Sequence, residues 1–368
     1  MSLERSSTNF RVYEFEAKLT DESLAGFAEN ALPPIETLKE DPLEGWVSPR
    51  HLLDSEIVGD TCRAGKFIHL VLTKAQRKVP KVLLDTYTKM QEIELMKEEG
   101  AEALNRETRR ELREDVKTKM LPRMPPSLSG IEVAIDCDAN RLYCDSLSTS
   151  ADERVTEIFA KSARSALIPL TPDAAALRHS NVQTDQLEPA CFTAEPNGDF
   201  TIRSVGLDFL MWLFYRFEID ESKYDLFVGS EPVNVGLEGP VSLVLQGQGA
   251  HTASLSEGEP LHSVECKAAL LGGKKIASVT IAFEHGEDIY KARVDGQTFQ
   301  FHKVTVPKID ANRDARSVFL DHMVHLQSFT EIFYKLYEVF LKVRTDEESW
   351  DKVVADIQAW LPTLPAEK

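Results

Sequence analysis

Two helical segments in residues 78–129 constrain this chain more than any other stretch. A narrow apolar stripe at steps of three and four marks the first segment: Leu83, Tyr87, Met90 and then Ile93 or Glu94. Gly100 then interrupts the pattern, and Asn105 is placed to cap a second helix that runs to Pro122. The resulting hairpin has too thin an apolar seam to form a core of its own. We therefore expect it to project from a larger body and to pack against a partner.

The charge of the second helical segment is opposite to that of the whole chain. The sequence has 42 Lys+Arg against 60 Asp+Glu, a formal net charge of −18. Residues 105–123 instead hold more bases than acids: Arg106, Arg109, Arg110, Arg113, Lys117, Lys119 and Arg123. Five of these bases, from Arg106 to Lys117, are three or four residues apart and so share one helix face. That face is either a solvated surface laced with ion pairs or a surface that contacts phosphate.

Length and composition predict a globular protein of two or three domains. The 368 residues are 42% apolar, which suffices for a core. The five cysteines have no zinc-site spacing, and the N-terminus has no signal-peptide pattern, so we expect reduced thiols and a cytoplasmic protein. The most apolar run, residues 205–217, is shorter than the roughly 20 residues that a membrane span needs.

Strand and helix patterns alternate along residues 10–170, which predicts an α+β fold with the hairpin inserted between strands. Residues 45–49 have the character of a loop that holds a buried Trp46. Residues 173–200 are predicted to be irregular, and residues 205–217 form a buried helix.

The second half is predicted to contain antiparallel strands followed by helices. Strand patterns cover these ranges: 241–246, 274–284, 288–294 and 298–306. Residues 315–343 form one long helix or two, and residues 350–361 form another, which Pro362 ends.

No motif in the sequence indicates catalysis. Asp136 and Asp138 are expected to shape a β-turn, and His322 and His325 lack a third metal ligand. We therefore predict no enzyme activity, no catalytic residue, no metal site and no cofactor. A metal bound by the two aspartates would instead favour a hydrolase.

Several short motifs follow one another in a fixed order over residues 10–172: Gly45-Trp46-Val47, Lys78-Val79-Pro80, Leu121-Pro122-Arg123, Ile135-Asp136 with Cys144-Asp145, and Ile168-Pro169-Leu170. In this ordered set the chain resembles the RdgC family of bacterial recombination-associated proteins. Gly273-Lys274-Lys275-Ile276 also looks like the Gly-Lys strand that the family carries later in its sequence.

The resemblance implies a subunit of three parts. A central α/β domain is formed by residues 1–78 and 130–172, a hairpin tip by residues 79–129, and a base by residues 173–368. It further implies a noncatalytic homodimer, closed into a ring around single- or double-stranded DNA in the nucleoid. Binding would have little sequence preference and would restrain RecA-driven strand exchange. The hairpin bases would face the DNA, joined by Lys274 and Lys275 from the base.

The chain departs from the family pattern in two places, and the missing Lys-rich run together with the net charge of −18 favours a rival interpretation. Met124-Pro125-Pro126 replaces an aromatic residue that the family places after Leu-Pro-Arg. Gln246-Gly247-Gln248 and the acidic Glu257-Gly258-Glu259 stand where the family has a Lys-rich run. The rival is a protein-interaction scaffold that has kept the fold and lost DNA binding.

Overall fold

The computed structural model describes residues 3, 7–193, 202–219, 226–228, 231–247, 251–310 and 312–364. Within these ranges the protein has the predicted α+β fold, a large antiparallel sheet with helices packed against it. The strands are β1 Ser7–Glu14, β2 Leu43–Val47, β3 Arg63–Ala64, β4 Phe67–Arg77, β5 Pro126–Asp136, β6 Arg141–Cys144, β7 Ile168–Pro169, β8 Phe227–Val228, β9 Glu231–Val244, β10 Thr252–Leu255, β11 Lys275–His285, β12 Asp288–Asp295 and β13 Phe301–Thr305. The α-helices are α1 Leu24–Glu29, α2 Gly59–Cys62, α3 Lys81–Glu99, α4 Arg106–Met120, α5 Thr149–Ala163, α6 Pro172–Ser180, α7 Val205–Ile219, α8 Val264–Leu271, α9 Ala315–Thr345 and α10 Glu347–Trp360.

The strands form one continuous sheet. Its order is β10-β9-β11-β12-β13-β1-β6-β5-β4-β2, with β3, β7 and β8 paired beside this path. Strand β1 joins the two halves, because Ser7–Phe10 pair with β13 and Arg11–Glu14 pair with β6. The predicted boundary at residue 172 therefore does not coincide with a break in the sheet. The division into three domains stays a prediction.

Alternating side chains of the central strands enter two core layers. On one face α1 and α5 cover the sheet, and Phe27 packs between Trp46 and Phe159 at ring-centroid distances of 5.7 and 6.1 Å. On the other face α9 crosses both halves, since Phe319 contacts Phe67 of β4 and Phe333 contacts Phe301 of β13. Helix α9 is unbroken, so the single long helix is the correct alternative of the two predicted. No described helix is long and apolar enough to cross a membrane.

Residues 43–47 form the edge strand β2, so the loop prediction was wrong for residues 45–47, while residues 48 and 49 lie in the loop that follows. Trp46 is fully buried, as predicted, and its Nε1 donates to Ser162 Oγ at 2.9 Å. Gly45 permits the strand to pass close to the preceding chain, because a Cβ there would lie 2.4 Å from the backbone N of Leu32. Strand β2 was difficult to predict because it is held by pairing with β4 and by contact with the preceding turn, and neither leaves a clear local pattern in its own five residues.

The segment predicted to be irregular begins with helix α6. Thr171 caps it by accepting a hydrogen bond from Ala174 N at 3.3 Å, and Pro172 occupies the first turn, where its missing N–H costs little. The prediction of irregular structure was therefore wrong for residues 173–180, which belong to α6. Residues 194–200 of the predicted irregular segment lie outside the described residues.

Strands β4 and β5 carry the helical hairpin. They pair without a bulge from Phe67 opposite Asp136 to Arg77 opposite Pro126, and α3 and α4 form the connection between their far ends. Gly100 ends α3 with a φ of 63°, which glycine adopts without strain. Asn105 caps α4 as predicted, its side chain accepting from Thr108 N at 2.8 Å. Local capping signals therefore fix where both helices begin and end.

Candidate nucleic-acid interface

Helix α4 presents the predicted basic face. The helix runs without interruption from Arg106 to Met120, so the sequence spacing applies along its whole length. Five bases span an arc of about 100° at 3.6 residues per turn: Arg106, Arg109, Arg110, Arg113 and Lys117. The buried side of the helix is centred on Val116, which faces α3. The basic face therefore borders the contact between the two helices.

Only part of this basic face is neutralised by acids. Arg113 Nη1 lies 2.5 Å from Asp85 Oδ1 on α3, and Lys117 Nζ lies 3.2 Å from Glu114 Oε2. Within the described part of the chain, no ion pair involves the exposed side chains of Arg106, Arg109 or Arg110. Three guanidinium groups on one side of the hairpin thus remain available to an external anion.

Lys119 and Arg123 lie outside this face. Both side chains are exposed. Lys119 is about 140° around the helix from the centre of the basic face. Arg123 belongs to the short 3-10 turn Leu121–Arg123 that follows α4. That they contact DNA stays a prediction, and neither side chain lies on the helix face that the other five bases share.

Lys275 is inside the protein, so the structure does not support its prediction as a DNA-contacting residue. Its side chain is buried, and its Nζ lies 2.8 Å from Asp208 Oδ1 in the first turn of α7. The ammonium also lies 5.3 Å from the ring centroid of Phe192. Lys274, in the turn from α8 into β11, is half-buried and keeps its place in the prediction.

Asp208 holds a second buried cation. Arg344 of α9 places its Nε 3.5 Å from Asp208 Oδ2, and its guanidinium lies 4.6 Å from the ring centroid of Trp350. Burial lowers the pKa of Arg344, and the carboxylate of Asp208 opposes that shift. One carboxylate therefore ties α7, β11 and α9 together, which is a structural role.

The apolar stripe predicted on α3 faces solvent for most of its length. Contact with α4 instead buries Leu84 and Thr88, one position further along the helix. We call the exposed set the α3 stripe, and its exposed fractions are 79% for Val82, 45% for Tyr87, 59% for Met90 and 42% for Ile93. Helix α3 thus leaves several apolar side chains in contact with solvent along the hairpin.

The residues considered as weak metal ligands have structural partners. Asp136 Oδ1 accepts from the backbone N–H groups of Asp138 and Ala139, both at 3.0 Å, which is the predicted turn role. His322 is buried, and His325 Nδ1 lies 3.1 Å from the hydroxyl of Tyr290. The described residues contain no group of three or more His, Cys, Asp or Glu side chains arranged to hold a metal ion.

Comparison with protein-family models shows which family this chain belongs to. A family described as "Putative exonuclease, RdgC" matches residues 8–193. The chain belongs to the RdgC family. The RdgC match covers the shared sheet from β1 to β7, the whole hairpin and α6, which agrees with the resemblance noted in the sequence. The family is one of recombination-associated proteins of exonuclease-like or DNA-binding type. No curated protein matches the chain.

Sequence reasoning missed the partner of Arg113. Asp85 lies 28 positions earlier on α3, and its role follows only once the two helices pack side by side. The available signal was an acid on the first helix and an unpaired base on the second. The sequence alone does not show which acid on α3 lies beside which base on α4; that depends on how the two helices are aligned in the hairpin.

Proposed function

We propose that this protein binds DNA without sequence preference through the basic face of α4. The observation that carries the proposal is the set of three exposed arginines, Arg106, Arg109 and Arg110, without an acidic partner in the described chain. Guanidinium groups bind phosphate oxygens in a planar, bidentate manner and read no base sequence in doing so. Both single- and double-stranded DNA offer such phosphates, so both are ligands.

The charge of the rest of the molecule supports a local binding surface. With a net charge of −18, most of the protein repels the phosphate backbone. A basic face on a projecting hairpin is then the region that DNA approaches. An acidic body around a basic site confines DNA to that site and keeps the remaining surface free.

We further propose that two copies associate and enclose the DNA as a ring. The α3 stripe supplies an apolar surface on the same hairpin as the basic face, so association through it would bring the basic hairpins of two subunits together. A protein that surrounds DNA in the nucleoid would occupy the strand on which RecA acts. Restraint of RecA-driven exchange is then indirect, through competition for DNA.

The decisive experiment removes the three unpaired arginines. Arg106, Arg109 and Arg110 are replaced together by Ala, and affinity for single- and double-stranded oligonucleotides is measured from 50 to 300 mM salt. We expect weaker binding to every sequence and a shallower salt dependence, by about 0.9 in log–log slope for each phosphate of double-stranded DNA that the variant no longer neutralises. Stability should change little, since all three side chains are exposed and exposed substitutions of this kind usually change it by about 0.5 kcal/mol or less.

A matched triple variant controls for charge alone. Lys18, Lys39 and Lys352 are exposed bases away from the hairpin, and their replacement by Ala removes the same charge. If the control weakens binding as much as the arginine triple, the basic face is only a solvated helix surface. If the parent does not bind DNA even at low salt, the scaffold alternative holds, which the buried Lys275 favours. To separate binding from exonuclease action, the DNA is incubated with the protein and Mg²⁺, and its length is then measured. Binding alone leaves the strands at full length, whereas an exonuclease shortens them from their ends.

A further inference from the structure

A polar cleft opens in the second half of the sheet, on the side away from α9. It has a volume of about 570 Å³ and is lined by residues of β1, β9, β11, β12 and β13. Strand pairing is irregular around it, with register shifts on both sides of Ser278, between Lys291 and Arg293, and between Thr8 and Phe10. Bulges bend strands and redirect side chains, and they are frequent beside functional sites. The cleft thus arises from the strand geometry itself.

The guanidinium of Arg293 is held in place at the cleft by two hydroxyl groups. Its Nε donates to Ser278 Oγ at 3.0 Å, and its Nη2 donates to Ser242 Oγ at 2.7 Å. No carboxylate of the described residues lies within ion-pair distance of this guanidinium. The serines therefore orient Arg293 without neutralising it, and Nη1 is left to donate to a ligand in the cleft.

Lys303 brings a second cation to the cleft from a strained backbone position. Its φ is 50°, in the left-handed region that residues with a side chain rarely adopt. The side chain of Asn9, on β1, holds this conformation by accepting a hydrogen bond from Lys303 N at 2.8 Å. Strain of this kind persists only where neighbouring groups enforce it, and it is concentrated at functional sites. Here it places an exposed lysine at the rim of the cleft.

The remaining charges in the cleft favour an anion. Asp295 is the acid among the lining residues, and its Oδ1 already accepts from the backbone N–H groups of Gln297 and Thr298, both at 2.9 Å. Burial, with a smaller contribution from Arg293, lowers the pKa of His302, while Asp295 opposes the shift. Two cations therefore face one carboxylate that is already engaged in a turn.

We propose that this cleft binds a phosphate monoester carried by a nucleotide, either a free mononucleotide or the phosphorylated end of a DNA strand. Arg293 and Lys303 together match the charge of about −1.5 to −2 that a phosphate monoester carries at pH 7. The cleft is larger than a phosphate ion and lies in the range of about 300–1,000 Å³ that is typical of small-ligand sites. The DNA-end form of this proposal rests on the proposed function, and the free-nucleotide form does not.

The test compares ligands with and without the monoester. Calorimetry with 2′-deoxyadenosine 5′-monophosphate and with deoxyadenosine tests the free nucleotide, and single-stranded 12-mers with a 5′-phosphate or a 5′-hydroxyl test the DNA end. We expect the phosphorylated member of at least one pair to bind about tenfold more tightly, a difference of about 1.4 kcal/mol. Arg293→Gln and Lys303→Gln should each abolish that preference.

Lys291→Gln is the matched control. Lys291 lies on β12 two residues before Arg293, outside the cleft lining, and its Nζ contacts Glu238 at 2.6 Å. This variant should keep the preference. The proposal is overturned if neither pair shows a preference, or if the preference survives both cleft variants. If Arg293→Gln does not fold, the Lys303→Gln variant alone decides, because the side chain of Lys303 is exposed and its replacement should not disturb the fold. If neither 12-mer binds, the DNA proposal fails while the mononucleotide still tests the cleft.

Discussion

Lys275 and Asp208 show how one buried contact changes the meaning of a sequence motif. The Gly-Lys-Lys-Ile segment places two lysines at the start of β11, and only one of them reaches the surface. The partner of the other, Asp208, lies 67 positions earlier in α7. A charge that is compensated by so distant a residue cannot be distinguished from a surface charge by local pattern. Packing of α7 against β11 decides it.

Loss of the Asp208 carboxylate should destabilise the fold strongly. Asp208→Asn leaves the ammonium of Lys275 and the guanidinium of Arg344 buried without the carboxylate that both contact, and we expect a loss of about 3–5 kcal/mol in the free energy of unfolding. Urea titration measures it. Glu238→Gln, which breaks the exposed pair with Lys291, should cost about 1 kcal/mol or less. If Asp208→Asn lowers the free energy of unfolding no more than Glu238→Gln does, the buried cluster contributes no more to stability than an exposed ion pair.

A buried histidine makes stability depend on pH. Burial, with a smaller contribution from His325, lowers the pKa of His322, while Asp321 acts in the opposite direction. The unfolded chain therefore takes up this proton at a higher pH than the folded protein does. The contribution to stability is present above the unfolded pKa of about 6.5 and is lost as the pH falls below it.

Replacement of His322 should reduce this pH dependence. We expect His322→Gln to narrow the difference in melting temperature between pH 7.5 and pH 5.5, because the variant has no proton to gain at this position. The exposed His51 provides the control, and His51→Gln should leave the difference unchanged. An unaltered pH dependence in the His322 variant would assign the effect to other groups.

Among the secondary-structure elements, the hairpin was the most predictable part of the chain and β2 one of the least. The ends of α3 and α4 depend on Gly100 and Asn105, whose effects are confined to one turn of helix. Strand β2 depends on pairing with β4 and on the close approach that Gly45 permits. The basic face of α4 follows from spacing alone, whereas the solvent-facing direction of the α3 stripe required the packing of the two helices.

Polar substitutions in the α3 stripe should separate the proposed dimer. Tyr87→Ser with Met90→Ser removes two exposed apolar side chains, and we expect a loss of at least about 2 kcal/mol in association, or about 30-fold in the dissociation constant. Sedimentation velocity over a concentration series measures it. Because both side chains are exposed in the subunit, the melting temperature of the monomer should hardly change.

Another exposed apolar pair controls for this result. Leu177 on α6 and Val264 on α8 are exposed to 49% and 47%, and neither belongs to the hairpin. Replacing both by Ser should leave association intact. A parent protein that stays monomeric at tens of micromolar would remove the basis for a ring, whatever the variants show.

At the scale of the whole molecule, the sheet and α9 join what the sequence suggested were separate parts. Strand β1 pairs with strands of both halves, and α9 contacts β4 near its start and β13 further along. Neither link could be predicted from periodicity, because Thr8 of β1 pairs with Val304 of β13, 296 positions away, and Phe67 and Phe319 are 252 positions apart. The second half also lies outside the RdgC match beyond residue 193. Apart from the resemblance at Gly273-Lys274-Lys275-Ile276 and the base domain that the family implies, its elements were predicted from physical pattern.

The ribbon of β4 and β5 sets a length. Its strands are 11 residues long and pair one to one, so the ribbon measures about 35 Å at roughly 3.3 Å per residue. Two residues added to each strand would move the hairpin outward by about 7 Å and keep every side chain on its own face, whereas one residue added to a single strand would turn its outer part over. If two copies close around DNA, the width of the passage between them is therefore adjustable in steps of paired residues, without any change to the surfaces that meet.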